Sequence, residues 1–521
     1  MSDAIRNNGQ SQPLRIVVVG GGTAGWMSAA ALRRQLPADD YSVTLIESDD
    51  IGTVGVGEAT LPHIKIFNDM LGLNEAQFMR ETKATFKLGI QFCDWHRQGG
   101  AYIHPFGAFG EPWGGVEFQH HWLRAHRLGA GDVPLQDFSY SVVAARNDRF
   151  EFPNEDLKSI RATYAYAYHF DAGLYAAFLR RWAIERGVRR VEGQVCDIAR
   201  HESGDVRHLT LKSGERIAGD LFIDCSGFRS LLLGGVMGVA WQDWTHWLPC
   251  DRAFALPSRR SGALTPYTRA TARRAGWTWR IPLQHRTGNG YVFSSRFISE
   301  SDARESLLSI IGDAAQGEPR LLKFSPGRRE KAWAGNCIAI GLASGFLEPL
   351  ESTSIYLVQA AVTDLIGLMP RRGSSSPDGR LIEEFNRLNN MQYERIRDFL
   401  ILHYTANDRV GEPLWDYVRS MPLPDSLVHQ LQLFRARATL PNHRYGVFAR
   451  DSWLSVLVGQ GIIPAGYDRL ADAFALPAVV DRMTELRNRI QTNVDAMSSH
   501  GAFISDYCQS AGVAASEEAT A

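Results

Sequence analysis

The chain has 521 residues, 45% of them hydrophobic and 22% charged, with a formal net charge of -1. That composition describes a globular protein with a substantial core and room for more than one subdomain. The balanced charge excludes the electrostatic footprint of a nucleic-acid or anionic-membrane binder, and no stretch reaches the roughly 18 uninterrupted apolar residues of a membrane helix.

Residues 1–13 are polar and lack the apolar core of a secretion signal, so the expected location is cytoplasmic. This segment and residues 509–521 read as disordered tails. Leu14 to Val19 is an apolar run ending at glycine, the pattern of a buried parallel strand. Gly20, Gly22 and Gly25 follow at the spacing Gly-x-Gly-x-x-Gly, Trp26 to Leu36 has helical spacing, and Tyr41 to Glu47 is a second strand ending in an acid. In such a strand–turn–helix unit the first glycine allows the tight turn. The second lets backbone N–H groups approach a pyrophosphate, and the third permits close helix–strand packing. Gly20, Gly22, Thr23, Ala24 and Gly25 are therefore candidate dinucleotide contacts, with Glu47 placed to accept a ribose hydroxyl.

The loop 52–60 carries Gly52, Gly55 and Gly57, which implies close backbone approach to something flat or charged. Gly57 and Ala59 are its candidate cofactor contacts. Residues 85–92 alternate with period two: Phe86, Leu88, Ile90 and Phe92 point one way, Lys87, Gly89 and Gln91 the other. Taken alone, Lys87 is a solvated strand residue. His104-Pro105-Phe106-Gly107 reads as a loop histidine beside a packed phenylalanine. From Asp171 to Arg186 the pattern is helical, with Asp171 as cap and Leu174, Phe178, Leu179 and Trp182 as the apolar stripe. Short strands are expected between Arg190 and Asp224, with a turn at Ser213-Gly214. Strand-then-glycine patterns recur at 221–227 and 337–341.

Trp277-Thr278-Trp279-Arg280-Ile281-Pro282 is an uncommon string, at its plainest a tryptophan-rich core strand stopped by proline. In the segment 348–354, Ser352 and Thr353 can cap a helix beginning near Ile355, and the macrodipole favours an acid such as Glu351 there. Beyond residue 350 the chain turns mainly helical, over 353–369, 380–405 and 467–499. The six cysteines have neither CxxC nor zinc spacing, so they read as reduced thiols and no metal site is expected. The fold class is α/β. A Rossmann-type dinucleotide core over 14–350 carries a substrate-facing mixed region (about 90–170 and 240–330), and residues 351–508 form a mainly helical substrate-binding part.

The glycine turn together with Trp277, Trp279, Ile281 and Pro282 resembles the flavin-dependent halogenases of the tryptophan-halogenase family. There a Trp-x-Trp-x-Ile-Pro element separates halogenating flavoproteins from ordinary flavin monooxygenases. Asp224-Cys225-Ser226-Gly227 and Gly341-Leu342-Ala343 resemble the later elements of FAD-binding proteins, so the resemblance implies FAD as the cofactor, with Gly341 and Leu350 as further contacts. It also implies reduced FAD (FADH2) from a separate NAD(P)H-dependent flavin reductase, O2, and a halide ion, chloride or bromide. Hypohalous acid would travel through a tunnel to Lys87, whose Thr85-Phe86-Lys87 string matches the family's Ala-Phe-Lys; Lys83 does not match. Glu351, not Glu348, matches the second catalytic position in Pro349-Leu350-Glu351-Ser352-Thr353, either polarising the electrophile or taking the ring proton.

Backbone N–H groups of Thr353 and Ser354 would hold the halide, although the family commonly has glycine at position 354. His104, Phe106, Ser352 and Trp453 would line the substrate. The Tyr-Tyr-Glu cluster that grips free tryptophan has no counterpart in 443–453, so the expected substrate is indole or an indole-containing compound. A homodimer is one expected assembly. The rival readings are an aromatic hydroxylase using the same flavin chemistry and a non-catalytic FAD-binding protein.

Overall fold

The computed structural model describes residues 12–50, 57–130, 133–371, 377–441 and 446–518, with side chains through residue 509. Its centre is a six-stranded sheet in the order Trp333–Ala334, Cys337–Ala339, Leu221–Asp224, Leu14–Val19, Tyr41–Glu47, Arg189–Glu192. All neighbours are parallel except the edge strand Trp333–Ala334. Leu221–Asp224 is buried along its whole length and Leu14–Val19 at all but Arg15, as strands covered on both faces must be. Helix Thr23–Gln35 covers one face, and helices Ala172–Glu185 and Ser354–Gly367 pack against it. In an open parallel sheet the ligand crevice lies beyond the carboxyl ends of the strands. That end carries the turn after Val19.

A seven-stranded sheet takes its strands from two distant stretches, 89–105 and 252–323. Gly276–Pro282 lies inside it, antiparallel to both Tyr267–Arg273 and Thr287–Phe293. A small antiparallel sheet of Gly57–Ala59, Ala167–Asp171 and Thr85–Lys87 packs against the seven-stranded one. Gly57 comes so close to Gly288 and Ile281 that a β-carbon there would lie 3.3 Å from Leu283 Cδ1. Strands Val195–Arg200, Val206–Leu211 and Arg216–Ala218 form the expected meander, turning at Gly214 with φ 86°.

Several expectations need correction. Residues 85–92 are two strands in two sheets. Leu88 leaves the alternation because its N–H donates to Pro266 O and its carbonyl accepts from Phe106 N. Leu174 is exposed at 38%, on the solvent side of a helix whose cap, Asp171, is as expected. The stretch 467–499 is a short 3-10 segment, Arg469–Ala473, and then the helix Leu476–Asp495. Helices Pro413–Ser420, Asp425–Arg437 and Arg450–Gly459 were not anticipated. The last helix, His500–Glu518, passes residue 509, where alanine and glutamate favour helix. Residues 52–56 of the glycine loop and 443–445 lie outside the described residues, as do 1–11 and 519–521 of the tails. Among the described residues no helix is long and apolar enough to cross a membrane.

Candidate active site

The glycine turn has the geometry a dinucleotide needs. Gly20 has φ 120°, and a β-carbon there would sit 2.3 Å from Cys225 O. At Gly25 one would sit 1.8 Å from Gly20 O, so only glycine brings the helix this close to the strand. Gly22 faces open space and occupies the N-cap of Thr23–Gln35, which no side chain caps. The first N–H groups of that helix, from Thr23 and Ala24 onward, are thus available to an anion. Gly341, at φ 74°, approaches the same turn, its absent β-carbon lying 2.9 Å from Ala24 Cβ and 3.4 Å from Val358 Cγ2. The late glycine element and the helix following Glu351 therefore meet at the cradle. These residues fit a flavin dinucleotide. Glu47 is more engaged than its sequence position suggests: Trp26 Nε1 donates to Oε2 at 3.1 Å and Arg190 Nε to Oε1 at 2.5 Å. A ribose hydroxyl would share Oε2.

Lys87 is fully buried. Its strand pairs with Ala167–Asp171, and Thr85 Oγ1 donates to Pro282 O at 2.7 Å, tying the lysine strand to the end of the tryptophan strand. Lys87 Nζ donates to Thr60 O and to Ser352 Oγ, both at 2.9 Å, and lies 4.9 Å from the centre of the Phe106 ring. Burial lowers its pKa from 10.5 to about 7, with the charge of Glu351 opposing. Lys83, by contrast, is exposed in a turn at φ 56°.

Leu350 and Glu351 are buried in the 3-10 turn Pro349–Glu351. Glu351 is enclosed by two imidazoles. His104 Nδ1 lies 2.8 Å from Oε2 and 3.0 Å from Oε1. His403 Nε2 lies 2.7 Å from Oε1, close enough for charge attraction although its N–H axis does not point at that oxygen. Burial by itself would raise this carboxyl, but the two histidines outweigh it and hold it at about 2. No ion pair within 4.0 Å joins Lys87 to Glu351 among the described residues; Ser352, the residue after Glu351, takes the lysine instead.

Ser352 sits in the left-handed region at φ 60°, which costs a serine about 1–2 kcal/mol. Its hydroxyl serves Lys87 rather than the helix, and the helix starts at Ser354 with Thr353 as a cap residue that makes no side-chain cap bond. The Thr353 hydroxyl is buried and has no hydrogen-bond partner among the described residues. An uncapped helix start beside an unpaired hydroxyl is chemically suited to a halide.

His104 and Phe106 follow one another on and after the strand Ala101–Pro105, with ring centres 6.4 Å apart. Phe399 and Phe448 stand 5.6 and 6.0 Å from the His104 ring, and Trp453, on helix Arg450–Gly459, is 5.1 Å from Phe399. His104, Phe106 and Trp453 thus belong to one buried aromatic cluster with Phe399 and Phe448, and Ser352 reaches it through Lys87, which lies over the Phe106 ring. Trp277 and Trp279 project from one face of their strand, 6.2 Å apart. Trp279 lies across Gly290, where a β-carbon would be 2.0 Å from its ring. Trp277 Nε1 donates to Glu348 Oε2 at 2.7 Å, and Tyr404 OH donates to the same oxygen at 2.5 Å. Burial raises the Glu348 carboxyl to about 7.

Sequence reasoning missed His403, Thr60 as a carbonyl partner, Phe399 and the structural part of Glu348. His403 repeats Phe399 at i+4 on the helix Gly379–Thr405 and donates Nδ1–H to its carbonyl at 2.8 Å. Nothing in that spacing separates it from an ordinary core histidine.

Comparison with known proteins agrees with this geometry. The family model described as tryptophan halogenase matches residues 15–476. Tryptophan 6-halogenase SttH of Streptomyces toxytricini is 35% identical over 517 residues, 94% of this chain and 97% of that protein. Two solved structures, BrvH, a flavin-dependent halogenase from Brevundimonas sp. BAL3, and Xcc4156, a flavin-dependent halogenase from Xanthomonas campestris, are 41% and 43% identical. Each has a TM-score of 0.91 and covers 95% of this chain and 99% of its own. The chain belongs to the tryptophan halogenase family and is an enzyme of its flavin-dependent halogenase class.

Proposed function

We propose that this enzyme uses O2 and chloride or bromide to halogenate an electron-rich aromatic ring, that of indole or an indole-containing compound. The observation that carries the reading is a fully buried lysine, held by Thr60 O and Ser352 Oγ over the Phe106 ring, near the buried Glu351 and a cluster of aromatic rings. Reduced FAD, delivered by a separate NAD(P)H-dependent reductase, would be held at Gly20, Gly22, Thr23, Ala24 and Gly25, and together with O2 it would supply the oxidation of halide to hypohalous acid. Gly57, Ala59, Gly341 and Leu350 border it and Glu47 takes a ribose hydroxyl. Halide rests at the N–H groups of Thr353 and Ser354.

Lys87 then holds hypohalous acid by a hydrogen bond from its ammonium. Two of the three N–H donors are occupied by Thr60 and Ser352, which leaves one for the guest. The negative charge of Glu351 stabilises the cationic ring that forms when halogen adds, a charge placed where charge develops. Trp277, Trp279, Ile281 and Pro282 fill the sheet beside the cofactor and keep the substrate from it.

The test supplies FAD, a flavin reductase with NADH, indole, and chloride or bromide separately, and looks for halogenated indole by mass. Lys87→Ala should abolish product while FAD binding survives. Product at the wild-type rate from that variant overturns the assignment, and hydroxylated indole formed without halide favours the hydroxylase.

A further inference from the structure

Glu351 is poorly placed to take a proton from a substrate. His104 Nδ1 covers both carboxylate oxygens and His403 Nε2 flanks Oε1. A carboxylate only accepts, so Nδ1 of His104 carries the hydrogen of that contact. The opposite nitrogen, Nε2, is buried and has no partner among the described residues, and the His104 side chain is 1% exposed. Its ring stands among Phe106, Phe399 and Phe448, the aromatic cluster that the halogenase reading assigns to the arene. An unpartnered buried nitrogen carries a desolvation cost, and the arrangement of carboxylate, Nδ1–H and a bare Nε2 is that of an oriented general base.

We propose that His104 Nε2, not Glu351, receives the ring proton, and that Glu351 is a positioning residue that fixes the tautomer and stabilises the resulting imidazolium. This inference rests on the halogenase reading above. The step balances as follows. The O–X bond of hypohalous acid breaks and a C–X bond forms on the ring. The departing hydroxide leaves as water with the proton donated by Lys87. The C–H bond at the same carbon then breaks, its electron pair restores the ring, and its proton goes to Nε2 of His104. Once the proton on His104 returns to Lys87, the net change is ArH + HOX giving ArX + H2O.

The experiment compares His104→Asn and His104→Ala with wild type, using bromide, the FAD reductase system, and ring-deuterated against ordinary indole in competition. Asparagine keeps an N–H donor near the Nδ1 position and so preserves the hold on Glu351, but offers no base at Nε2. Wild type should show an isotope effect near 1, because proton loss follows a slower addition of halogen. Both variants should bind FAD normally and brominate about 100-fold or more slowly, the scale of a lost general base. They should also discriminate against deuterium by a factor of about 2 or more.

Near-wild-type turnover in His104→Asn means that the histidine only positions Glu351, and the proposal fails. A slow variant whose isotope effect stays near 1 overturns it equally. If either variant loses FAD binding, the isotope effect is read on the other and on His104→Gln. Absence of brominated indole from the wild type itself refutes the parent reading, an outcome distinct from the other two.

Discussion

Replacing Lys87 by methionine tests the electrostatics of the site without relying on catalysis. A lysine in the unfolded chain titrates near its ordinary value, whereas burial brings Lys87 down from 10.5 to about 7. Between those values the unfolded chain binds a proton that the folded one does not, so wild-type stability rises with pH across the window; below about 7 both states are protonated and the full penalty stands. The gap amounts to about 5 kcal/mol at 1.36 kcal/mol per pH unit. Integrated only from pH 7 to 9, it is about 2 kcal/mol.

Methionine has similar length and no charge, so its variant lacks this slope. The stability of Lys87→Met relative to wild type should therefore fall by about 2 kcal/mol from pH 7 to pH 9, whatever constant offset the lost hydrogen bonds introduce. With an unfolding entropy of about 2.1 cal/mol/K per residue, the chain's 521 residues convert that into a relative change in melting temperature of roughly 2 °C. The assay is thermal unfolding by tryptophan fluorescence at several pH values with fixed FAD, with the exposed Lys83→Met as the matched loss of a lysine. A difference between Lys87→Met and wild type that stays constant or grows with pH refutes the reasoning.

If the ammonium of Lys87 presents hypohalous acid, kcat/KM for bromination should fall as pH rises through about 7; a rise over the same range would show that the free amine is the reactive form. Gly25→Ala puts a β-carbon 1.8 Å from Gly20 O and should weaken FAD at least tenfold in a fluorescence titration, an unchanged Kd refuting the packing argument. Trp277→Phe removes one of the two donors to the buried Glu348 Oε2 and should cost about 1–3 kcal/mol, read as a melting temperature lower by roughly 1–3 °C; an unchanged value means that water replaces the indole N–H.

What was legible in the sequence follows from how local each constraint is. The glycine turn could be read because part of what it obeys is local: Gly25 meets Gly20 O five residues away and Gly20 has a positive φ, although the atom that closes the space at Gly20 is Cys225 O, far along the chain. The break before Leu476 also had a local sign, Pro477 in the first turn of the helix, which the helical periodicity of 467–499 obscured. Lys87 was different. Residue types alone put it on a solvated strand, and only the resemblance moved it to the site, because period-two alternation does not register a strand that changes sheets at Leu88.

The two glutamates of the loop 348–351 mark the limit of sequence reading most sharply. They lie three residues apart and, as residue types, are interchangeable. Consecutive residues of the helix Gly379–Thr405 reach them: His403 approaches Glu351 and Tyr404 donates to Glu348. The partners decide the outcome. Two imidazoles adjoin Glu351 and hold it ionised at about 2 in spite of complete burial. A phenol and an indole can only donate neutral hydrogen bonds, so burial prevails at Glu348 and lifts it to about 7. One loop thus carries a fixed anion beside Lys87 and a carboxyl that can be neutral under Trp277, and the difference is written in partners far along the chain on both sides, His104 and His403 for Glu351, Trp277 and Tyr404 for Glu348.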